Sequence, residues 1–266
     1  MLTNYHNHST FCDGKNTPEE VILSAIEKGF DAIGFSGHGP TPFDQRYCMK
    51  DPPAFRKAIW ELKEKYRDKI QVYLGVEEDA YAPVNRSDYE YMVGSCHYCC
   101  KNGEYYPIDS GLDYFHKCLD LFDGDALAVA ENYYSRFCEY IVRRKPDIVG
   151  HFDLVTKFEE MEPHDLFGNE AYRKMAEKYL LYALKSGSLF EVNTGAISRG
   201  YRTIPYPTPD LLCTLLKNDG KLILSADSHT KDTIDFHFKE SRAMLKDIGF
   251  QCVYALYNGE FVKDYL

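Results

Sequence analysis

Several features are missing from the sequence, and each absence narrows the class of protein. No stretch reaches the ~18 consecutive apolar residues that a membrane-spanning helix needs. The opening segment, MLTNYHNHST, has no basic region followed by an apolar run, so we expect no signal peptide. No GxGxxG or GxxxxGK motif follows the first predicted strand, which weakens a nucleotide-binding hypothesis.

Positive charge is scarce. The chain has 31 lysines and arginines against 41 aspartates and glutamates, a formal net charge of −10. A nucleic-acid binder needs a basic surface that displaces counterions, and a protein that docks on anionic lipid needs clustered cations. The charge therefore argues against both kinds of partner. An anionic substrate must be attracted by metals or by a few local cations.

Paired cysteines are also lacking. The nine cysteines are odd in number, and their spacings form no disulfide framework. Cys96, Cys99 and Cys100 include a CxxC, but no second ligand pair for a structural zinc lies at a suitable spacing. We expect free thiols in the core and loops, and a reducing cytoplasmic compartment.

Short apolar runs alternate with amphipathic stretches along the chain. Strands are predicted over Leu2–His6, Ala32–Ser36, Val72–Glu77, Met92–Cys96, Ile148–His151, Leu189–Asn193, Leu222–Ala226 and Cys252–Tyr257. Helices are predicted over Pro18–Lys28, Ala54–Tyr66, Leu127–Arg144, Glu170–Lys185, Pro209–Lys217 and Lys239–Lys246. This alternation predicts one α/β domain over residues 1–266 with a parallel sheet. Seven or eight units favour closure into a barrel, with an open doubly wound sheet as the alternative.

Histidines and acids stand at the ends of nearly all these strands. The strand ends carry His6-Asn7-His8, Ser36-Gly37-His38, Glu77-Glu78-Asp79, Ser95-Cys96-His97, Gly150-His151-Phe152-Asp153, Glu191-Val192-Asn193 and Asp227-Ser228-His229. In a parallel barrel the carboxyl ends of all strands meet on one face. A lone buried histidine is usually a satisfied core residue, but six at strand ends are hard to attribute to chance. The pattern therefore predicts one polar site built from the whole chain.

The spacing of these residues suits metal binding. Side chains two apart on a strand point the same way, so His6 and His8 can chelate one ion, and so can Asp227 and His229. Nitrogen and oxygen ligands suit zinc, manganese or iron. A carboxylate such as Glu77 can bridge two ions. There are more candidate ligands than one ion needs, so we predict two or three divalent metals.

These motifs resemble the polymerase-and-histidinol-phosphatase (PHP) superfamily. The resemblance runs in order from Tyr5 to His229 and includes Cys12-Asp13-Gly14 and Gly75-Val76-Glu77 besides the motifs above. The stretch from His151 to Phe158, and Glu191-Val192-Asn193-Thr194 followed by Arg199, are similar to the histidinol-phosphate phosphatase branch. The resemblance implies a distorted (β/α)7 barrel and hydrolysis of L-histidinol phosphate, a small-molecule phosphate ester, in histidine biosynthesis.

The resemblance also implies three metal sites. The ligands would be His6, His8, Glu77 and Asp227 for the first ion, Glu77, His97 and His151 for the second, and Asp13, His38 and His229 for the third. Glu77 would bridge the first two ions. Many PHP members have a histidine where this chain has Asp13, and an acid there is expected to alter the metal preference.

The phosphatase chemistry assigns roles to the remaining polar residues. The implied nucleophile is a hydroxide that bridges two metals and attacks phosphorus in line. Lys157 and Arg199 lie just beyond strand ends and match cationic positions of the branch, so we expect them to bind the phosphate. Asp227 or His229 is the expected acid for the leaving alkoxide, and a metal-bound water is the alternative.

Two other functions remain open at this stage. The chain can be a PHP phosphoesterase for another phosphomonoester, a nucleotide or a phosphotyrosine. It can also be a metal-binding accessory module without catalysis, which the full set of ligands disfavours. His116, His164 and His237 lie outside the strand ends, and we expect them at the surface or in helix packing.

Overall fold

The structure, a computed structural model, describes residues 1–266. The strands are β1 (Thr3–Asn4), β2 (Ala32–Phe35), β3 (Gln71–Asp79), β4 (Tyr91–Ser95), β5 (Tyr98–Lys101), β6 (Glu104–Pro107), β7 (Ile148–Val149), β8 (Leu189–Asn193), β9 (Leu222–Ser225), β10 (Cys252–Tyr257) and β11 (Glu260–Tyr265). The helices are α1 (Pro18–Glu27), α2 (Pro52–Tyr66), α3 (Leu112–Leu121), α4 (Ala126–Arg144), α5 (Glu170–Ala183), α6 (Gly195–Ser198), α7 (Pro209–Lys217) and α8 (Phe238–Ile248). No helix is long and apolar enough to cross a membrane.

A nine-stranded sheet organises the chain, in the order β1-β2-β3-β4-β7-β8-β9-β10-β11. All neighbours from β1 to β10 pair in parallel, and only β11 runs antiparallel, against β10. Helices connect successive parallel strands, as the alternation of apolar and amphipathic stretches predicts. The α/β class and the mostly parallel sheet are confirmed.

Backbone hydrogen bonds also join the segment after β1, the first strand of the sheet, to the segment after β9. The amide of His8 donates to the carbonyl of Ser228 at 2.8 Å, and the amide of Ser228 donates to the carbonyl of His6 at 3.1 Å. These residues follow β1 and β9, the first strand of the order and the seventh. Histidines from one end of the chain are therefore held against the segment that carries Asp227 and His229.

Large tyrosines fill the space enclosed by the central strands. Tyr5 and Tyr91 are fully buried, and the Tyr91 hydroxyl donates to the carbonyl of Tyr5 at 2.5 Å. The Tyr91 ring lies against the backbone of Gly75, where a Cβ would come within 2.2 Å of the ring. Gly75 is thus required for close packing two residues before Glu77.

Side chains alternate between two faces along β3, so the three successive acids Glu77, Glu78 and Asp79 have different surroundings. Glu78 points outward, where it accepts hydrogen bonds from Arg144 at 2.7 and 2.8 Å and from the Tyr140 hydroxyl at 2.8 Å. Glu77 and Asp79 point to the opposite side, toward the histidines. Because Tyr140 and Arg144 belong to α4, these hydrogen bonds of Glu78 join β3 to α4.

Five strands and helices are absent from the sequence predictions: strands β5 and β6, which form a hairpin, helix α3, the short helix α6 and strand β11. The hairpin had a sequence signal. Asn102 and Gly103 both have positive φ, 55° and 82°, which is the turn that Asn-Gly favours between short strands. The hairpin and α3 together cover one side of the polar site, so missing them hides residues that line it.

Candidate metal centre and phosphate cavity

The carboxyl ends of the parallel strands surround a cavity of about 250 Å³. That size is slightly below the ~300–1,000 Å³ of drug-sized ligand pockets and suits a small ligand. The predicted site residues that line it are Asp13, His38, Glu77, His97, His151, Lys157, Arg199, Asp227 and His229. His6 and His8 lie directly beneath, both fully or almost fully buried.

Four ligand atoms converge at the first predicted metal site. His6 Nε2 lies 3.3 Å from Glu77 Oε2, and His8 Nε2 lies 3.2 Å from Asp227 Oδ1. The cross distances, from His6 to Asp227 and from His8 to Glu77, are both 3.7 Å. With metal–ligand bonds of about 2.0–2.2 Å, tetrahedral ligands stand roughly 3.3–3.6 Å apart. The four atoms therefore have the spacing of a single-ion site.

The other oxygen of Glu77 belongs to a second group. Glu77 Oε1 lies 3.0 Å from His151 Nε2 and 3.3 Å from His97 Nε2. One carboxylate thus faces two sets of imidazoles with its two oxygens, which is the arrangement of a bridging ligand. Hydrogen bonds fix its backbone, because Glu77 N donates to Gly37 O at 3.2 Å and Gly39 N donates to Glu77 O at 2.8 Å.

The third predicted group lies nearer the solvent. Asp13 Oδ2 is 3.3 Å from His229 Nε2 and 3.7 Å from His38 Nε2. His8 joins this group, because its Nδ1 is 3.5 Å from Asp13 Oδ1 and its ring stacks on His229 at 4.1 Å. His38 also faces Glu77 Oε2, with Nδ1 at 2.8 Å. The acid at position 13 therefore occupies a ligand position at the mouth.

Several of these buried atoms have no hydrogen-bond partner. They are His6 Nε2, His8 Nε2 and Glu77 Oε2. A buried polar group without a partner costs free energy, and three such atoms that face one point are better explained by an ion between them. The residues present therefore fit the divalent metals that the sequence predicts.

Electrostatics in the cluster supports the same reading. Burial disfavours charge on Glu77 and Asp227, but the surrounding cationic groups hold the pKa of both carboxyls well below the usual range. Burial lowers the pKa of His8 to about 3, so this imidazole is neutral. Nearby carboxylates raise the pKa of His6, His38 and His97 in spite of their burial, so these imidazoles hold protons that a metal must displace. The ionised carboxylates and the neutral His8 are already in the states that bind metals.

Carboxylates behind the histidines fix the ring orientations. Glu191 Oε1 lies 2.7 Å from His6 Nδ1, and Glu191 Oε2 accepts from the amide of His151 at 3.0 Å. Asp79 Oδ2 lies 3.1 Å from His97 Nδ1. Such partners orient metal-binding imidazoles and raise their basicity. Glu191 and Asp79 therefore support the imidazoles from behind.

Asp153 takes a different role. It accepts from the amide of Thr208 at 3.0 Å and lies 3.9 Å from the buried Arg202 guanidinium. Asp153 makes no hydrogen bond or ion pair with a histidine of the cluster. It supports the loop before α7.

Two cations, Lys157 and Arg199, line the same cavity, and Arg199 Nη1 lies 3.1 Å from His229 Nδ1. Lys157 is buried, and its Nζ donates to the Asp109 carbonyl at 2.7 Å and lies over the Tyr201 ring at 4.7 Å. The side chain of Arg199 is 30% exposed and donates to Asp227 Oδ2 at 3.0 Å. The structure thus brings both predicted phosphate-binding cations to the metal cluster.

Asp109 is a cavity residue that the sequence predictions missed. Its carboxylate lies 3.3 Å from Lys157 Nζ, and its pKa is lowered, because Lys157 and the nearby histidines outweigh the effect of burial. Asp109 lies between β6 and α3, both of which were missed, and it follows no strand of the main sheet. A search for acids at predicted strand ends therefore cannot find it.

A family model of the PHP domain matches residues 4–195. This chain belongs to the PHP domain family. The match ends before Arg199, Asp227 and His229, so the place of these residues in the PHP site rests on the tertiary contacts described above. The predicted family resemblance is confirmed.

Curated relatives span nearly the same length as this PHP domain. The probable histidinol-phosphatase of Schizosaccharomyces pombe is 25% identical over 272 residues, which cover 94% of this chain and 87% of the relative. The histidinol-phosphatase of Bacillus subtilis is 25% identical over 259 residues, covering 88% and 96%.

A solved PHP-domain structure has the same fold. Histidinol phosphate phosphatase from Lactococcus lactis, complexed with zinc, L-histidinol and phosphate, superposes with a TM-score of 0.75 at 19% sequence identity. The superposition covers 98% of this chain and 99% of the solved one. At this identity the likeness establishes the fold.

Proposed function

We propose that this chain hydrolyses L-histidinol phosphate to L-histidinol and phosphate, in histidine biosynthesis. The observation that carries the proposal is the meeting of Lys157 and Arg199 with a cluster of metal-type ligands in one small cavity. A phosphate monoester needs its oxygens neutralised and a water delivered opposite the leaving group. The full-length relatives named histidinol-phosphatase support the substrate.

The sheet is proposed to form a distorted seven-stranded barrel. The barrel strands would be β1 to β4 and β7 to β9, closed by the hydrogen bonds between His8 and Ser228. The carboxyl end of β9 pairs with the segment after β1, while Ile223 within β9 pairs with Tyr254 of β10. Strand β9 would thus have two neighbours on the same side, the segment after β1 and strand β10. This sharing would distort the barrel, and β10 and β11 would extend the sheet outside it.

The proposed ligands of the metals are the three groups described above. They are His6, His8, Glu77 and Asp227, then Glu77, His97 and His151, then Asp13, His38 and His229. Bound divalent ions would neutralise phosphoryl charge and lower the pKa of the attacking water. These ligands offer nitrogen and oxygen donors, which suit zinc, manganese or iron, and we propose one of these metals.

The chain's own cations are proposed to hold the phosphate. Both terminal nitrogens of Arg199 donate to Asp227, at 2.9 and 3.0 Å, which fixes the guanidinium, and its remaining N–H groups would donate to phosphoryl oxygens. Lys157 acts as a point charge from the opposite wall, held by the Asp109 carbonyl. Because Lys157 is buried, its charge is little screened by water.

Asp227 and His229 are proposed to handle the protons. Arg199 donates to Asp227 Oδ2, so that oxygen accepts hydrogen bonds, whereas His229 is 23% exposed and faces the mouth. We therefore favour His229 as the proton donor to the leaving alkoxide and Asp227 as the group that positions the water. As the donor His229 would keep a proton on Nε2 and leave the third ion to Asp13 and His38, so its donor and ligand roles are alternatives. A metal-bound water remains the competing donor.

The half-buried Asp109 is proposed to bind the substrate ammonium. L-histidinol phosphate carries a positive amine, and Asp109 is an anionic cavity residue that contacts none of the metal-type histidines. Its carboxylate would discriminate the phosphate ester of an amino alcohol from that of an alcohol without an amine.

The nine free cysteines support the proposed cytoplasmic location.

Phosphate release by the metal-loaded protein tests the proposed function. The substrates are L-histidinol phosphate, p-nitrophenyl phosphate and a nucleoside monophosphate, with His8→Ala as the inactive control. We expect a strong preference for L-histidinol phosphate that the control abolishes. Equal weak release of phosphate from all three compounds would refute L-histidinol phosphate as the specific substrate. No release from any of them with metals bound would refute the phosphatase activity.

A further inference from the structure

A second cluster of histidines and a glutamate lies away from the cavity. His116 is on α3, whereas Glu162 and His164 are in the loop between Lys157 and α5. Glu162 Oε1 lies 2.7 Å from His116 Nε2 and 3.3 Å from His164 Nε2. Two imidazoles and a carboxylate with ligand atoms this close form a group with metal-ligand chemistry.

His164 is a helix-packing histidine, one of the two roles expected from the sequence. Its side chain is only 10% exposed and packs against the Phe115 ring at 4.9 Å. Neither ring nitrogen has a hydrogen-bond partner. Nε2 faces Glu162, so an unpaired buried nitrogen points into the cluster. A polar atom left in that state costs free energy that a bound cation would recover.

A fixed carboxylate lies behind the same ring. Glu159 Oε1 is 3.3 Å from His164 Nδ1. The two oxygens of Glu159 accept from the backbone amides of His164, Leu166 and Phe167 at 3.0, 3.0 and 3.2 Å, which hold the carboxylate in place. Glu159 makes no well-directed hydrogen bond to Nδ1, but its nearby negative charge favours a proton on that nitrogen and leaves Nε2 as the electron-pair donor toward the cluster.

We propose that His116, Glu162 and His164 bind one divalent cation of the zinc type, distinct from the ions of the cavity. The 2.7 Å contact between His116 and Glu162 is a hydrogen bond, and the ion would replace its proton. His116 and Glu162 are 45% and 47% exposed, so both side chains can move to the wider spacing of metal ligands. Three protein ligands leave the remaining positions to water.

The bound ion would cross-link two segments that also shape the cavity. Helix α3 follows Asp109, and the loop that carries Glu162 and His164 begins after Lys157. These two segments already meet through the Lys157–Asp109 contact. The peripheral ion would therefore stabilise residues 112–121 and 157–169 against local opening.

Zinc content tests the site with variants of exposed residues. The zinc-loaded full chain is desalted, and zinc per chain is measured by mass spectrometry for wild type, His116→Asn and Glu162→Gln. His237→Asn is the matched control, because His237 lies 3.9 Å from Glu240 without a third ligand. We expect wild type and the control to hold one zinc equivalent more than the two cluster variants.

Hydrogen exchange provides a second measurement. Zinc should slow amide exchange in residues 112–121 and 157–169 of wild type and of His237→Asn, and not of His116→Asn. Equal zinc content in all four proteins would overturn the proposal and leave His116 and Glu162 as a hydrogen-bonded pair. Loss of a zinc equivalent without the exchange difference would overturn the cross-link.

Discussion

The guanidinium of Arg199 donates two hydrogen bonds to Asp227. One nitrogen donates to the Asp227 carbonyl at 2.9 Å, and the other donates to its carboxylate at 3.0 Å. Asp227 Oδ1 remains directed at His8, 3.2 Å away. The proposed phosphate-binding cation is thus connected through Asp227 to the innermost candidate metal ligands.

Replacement of Arg199 tests this coupling. Arg199→Lys keeps the charge but loses the fork, so kcat/KM for L-histidinol phosphate should fall by about 10²-fold, the usual effect of removing an oriented donor to a transition-state oxygen. Steady-state kinetics measures the loss. The matched control is Arg173→Lys on α5, which is 52% exposed and should leave kcat/KM unchanged. An unaffected Arg199→Lys enzyme would contradict the proposed role.

The proton donor can be tested through the leaving group. His229→Asn should lower kcat for L-histidinol phosphate by about 10²-fold or more, because an alkoxide needs a proton as it departs. The same variant should lose much less with p-nitrophenyl phosphate, since nitrophenolate leaves without help. Equal losses on both substrates would assign His229 to metal or phosphate binding instead.

The role of Asp109 predicts a change in specificity. Asp109→Asn removes the negative charge but keeps the size of the side chain and the carbonyl that holds Lys157. We expect kcat/KM for L-histidinol phosphate to fall by about 10-fold or more, the value of one charge-assisted hydrogen bond. The value for p-nitrophenyl phosphate should change little. A parallel fall in both would place Asp109 in the support of Lys157.

The orienting role of Glu191 predicts weaker metal binding. Glu191→Gln replaces the acceptor 2.7 Å from His6 Nδ1, and metal affinity should fall by about 10–100-fold. Chelator competition followed by activity recovery measures the affinity. Glu131→Gln on α4 is a control away from the cavity, because Glu131 binds the Tyr179 hydroxyl. Full activity of Glu191→Gln at saturating metal, with the affinity unchanged, would argue against the role.

Packing at Gly75 predicts a stability effect. A methyl group there would meet the Tyr91 ring at 2.2 Å, so Gly75→Ala should reduce the free energy of unfolding by roughly 1–3 kcal/mol through overpacking. Urea denaturation measures the change. Tyr91→Leu should relieve the clash, so the double variant should lose less than the sum of the single ones. Simple additivity would show that the contact is not the cause.

The recurrence of histidines and acids at strand ends was enough to predict the candidate metal centre. Side-chain alternation in strands predicted that His6 and His8 face one point, as they do. It also predicted that Asp227 and His229 form such a pair, but Asp227 Oδ1 lies beside His8 and His229 Nε2 lies beside Asp13, because the backbone at Asp227 has a positive φ of 45° and leaves the strand geometry. The parallel arrangement predicted that distant segments meet at one edge. These rules depend on local geometry that repeats along the chain, so the sequence carries them directly.

Only the tertiary structure decided which other groups face the cluster. Glu191 and Asp79 lie behind particular imidazoles, Asp109 reaches the cavity from a hairpin connection, and the unpaired His164 meets His116 across 48 residues of chain. These contacts depend on how separate segments pack and on which polar atoms become buried. The spacing of residues along the sequence does not predict either. The sequence by itself determined the strands of the parallel sheet, most of the helices and the strand ends that carry candidate ligands, whereas packing selected the partners of each side chain.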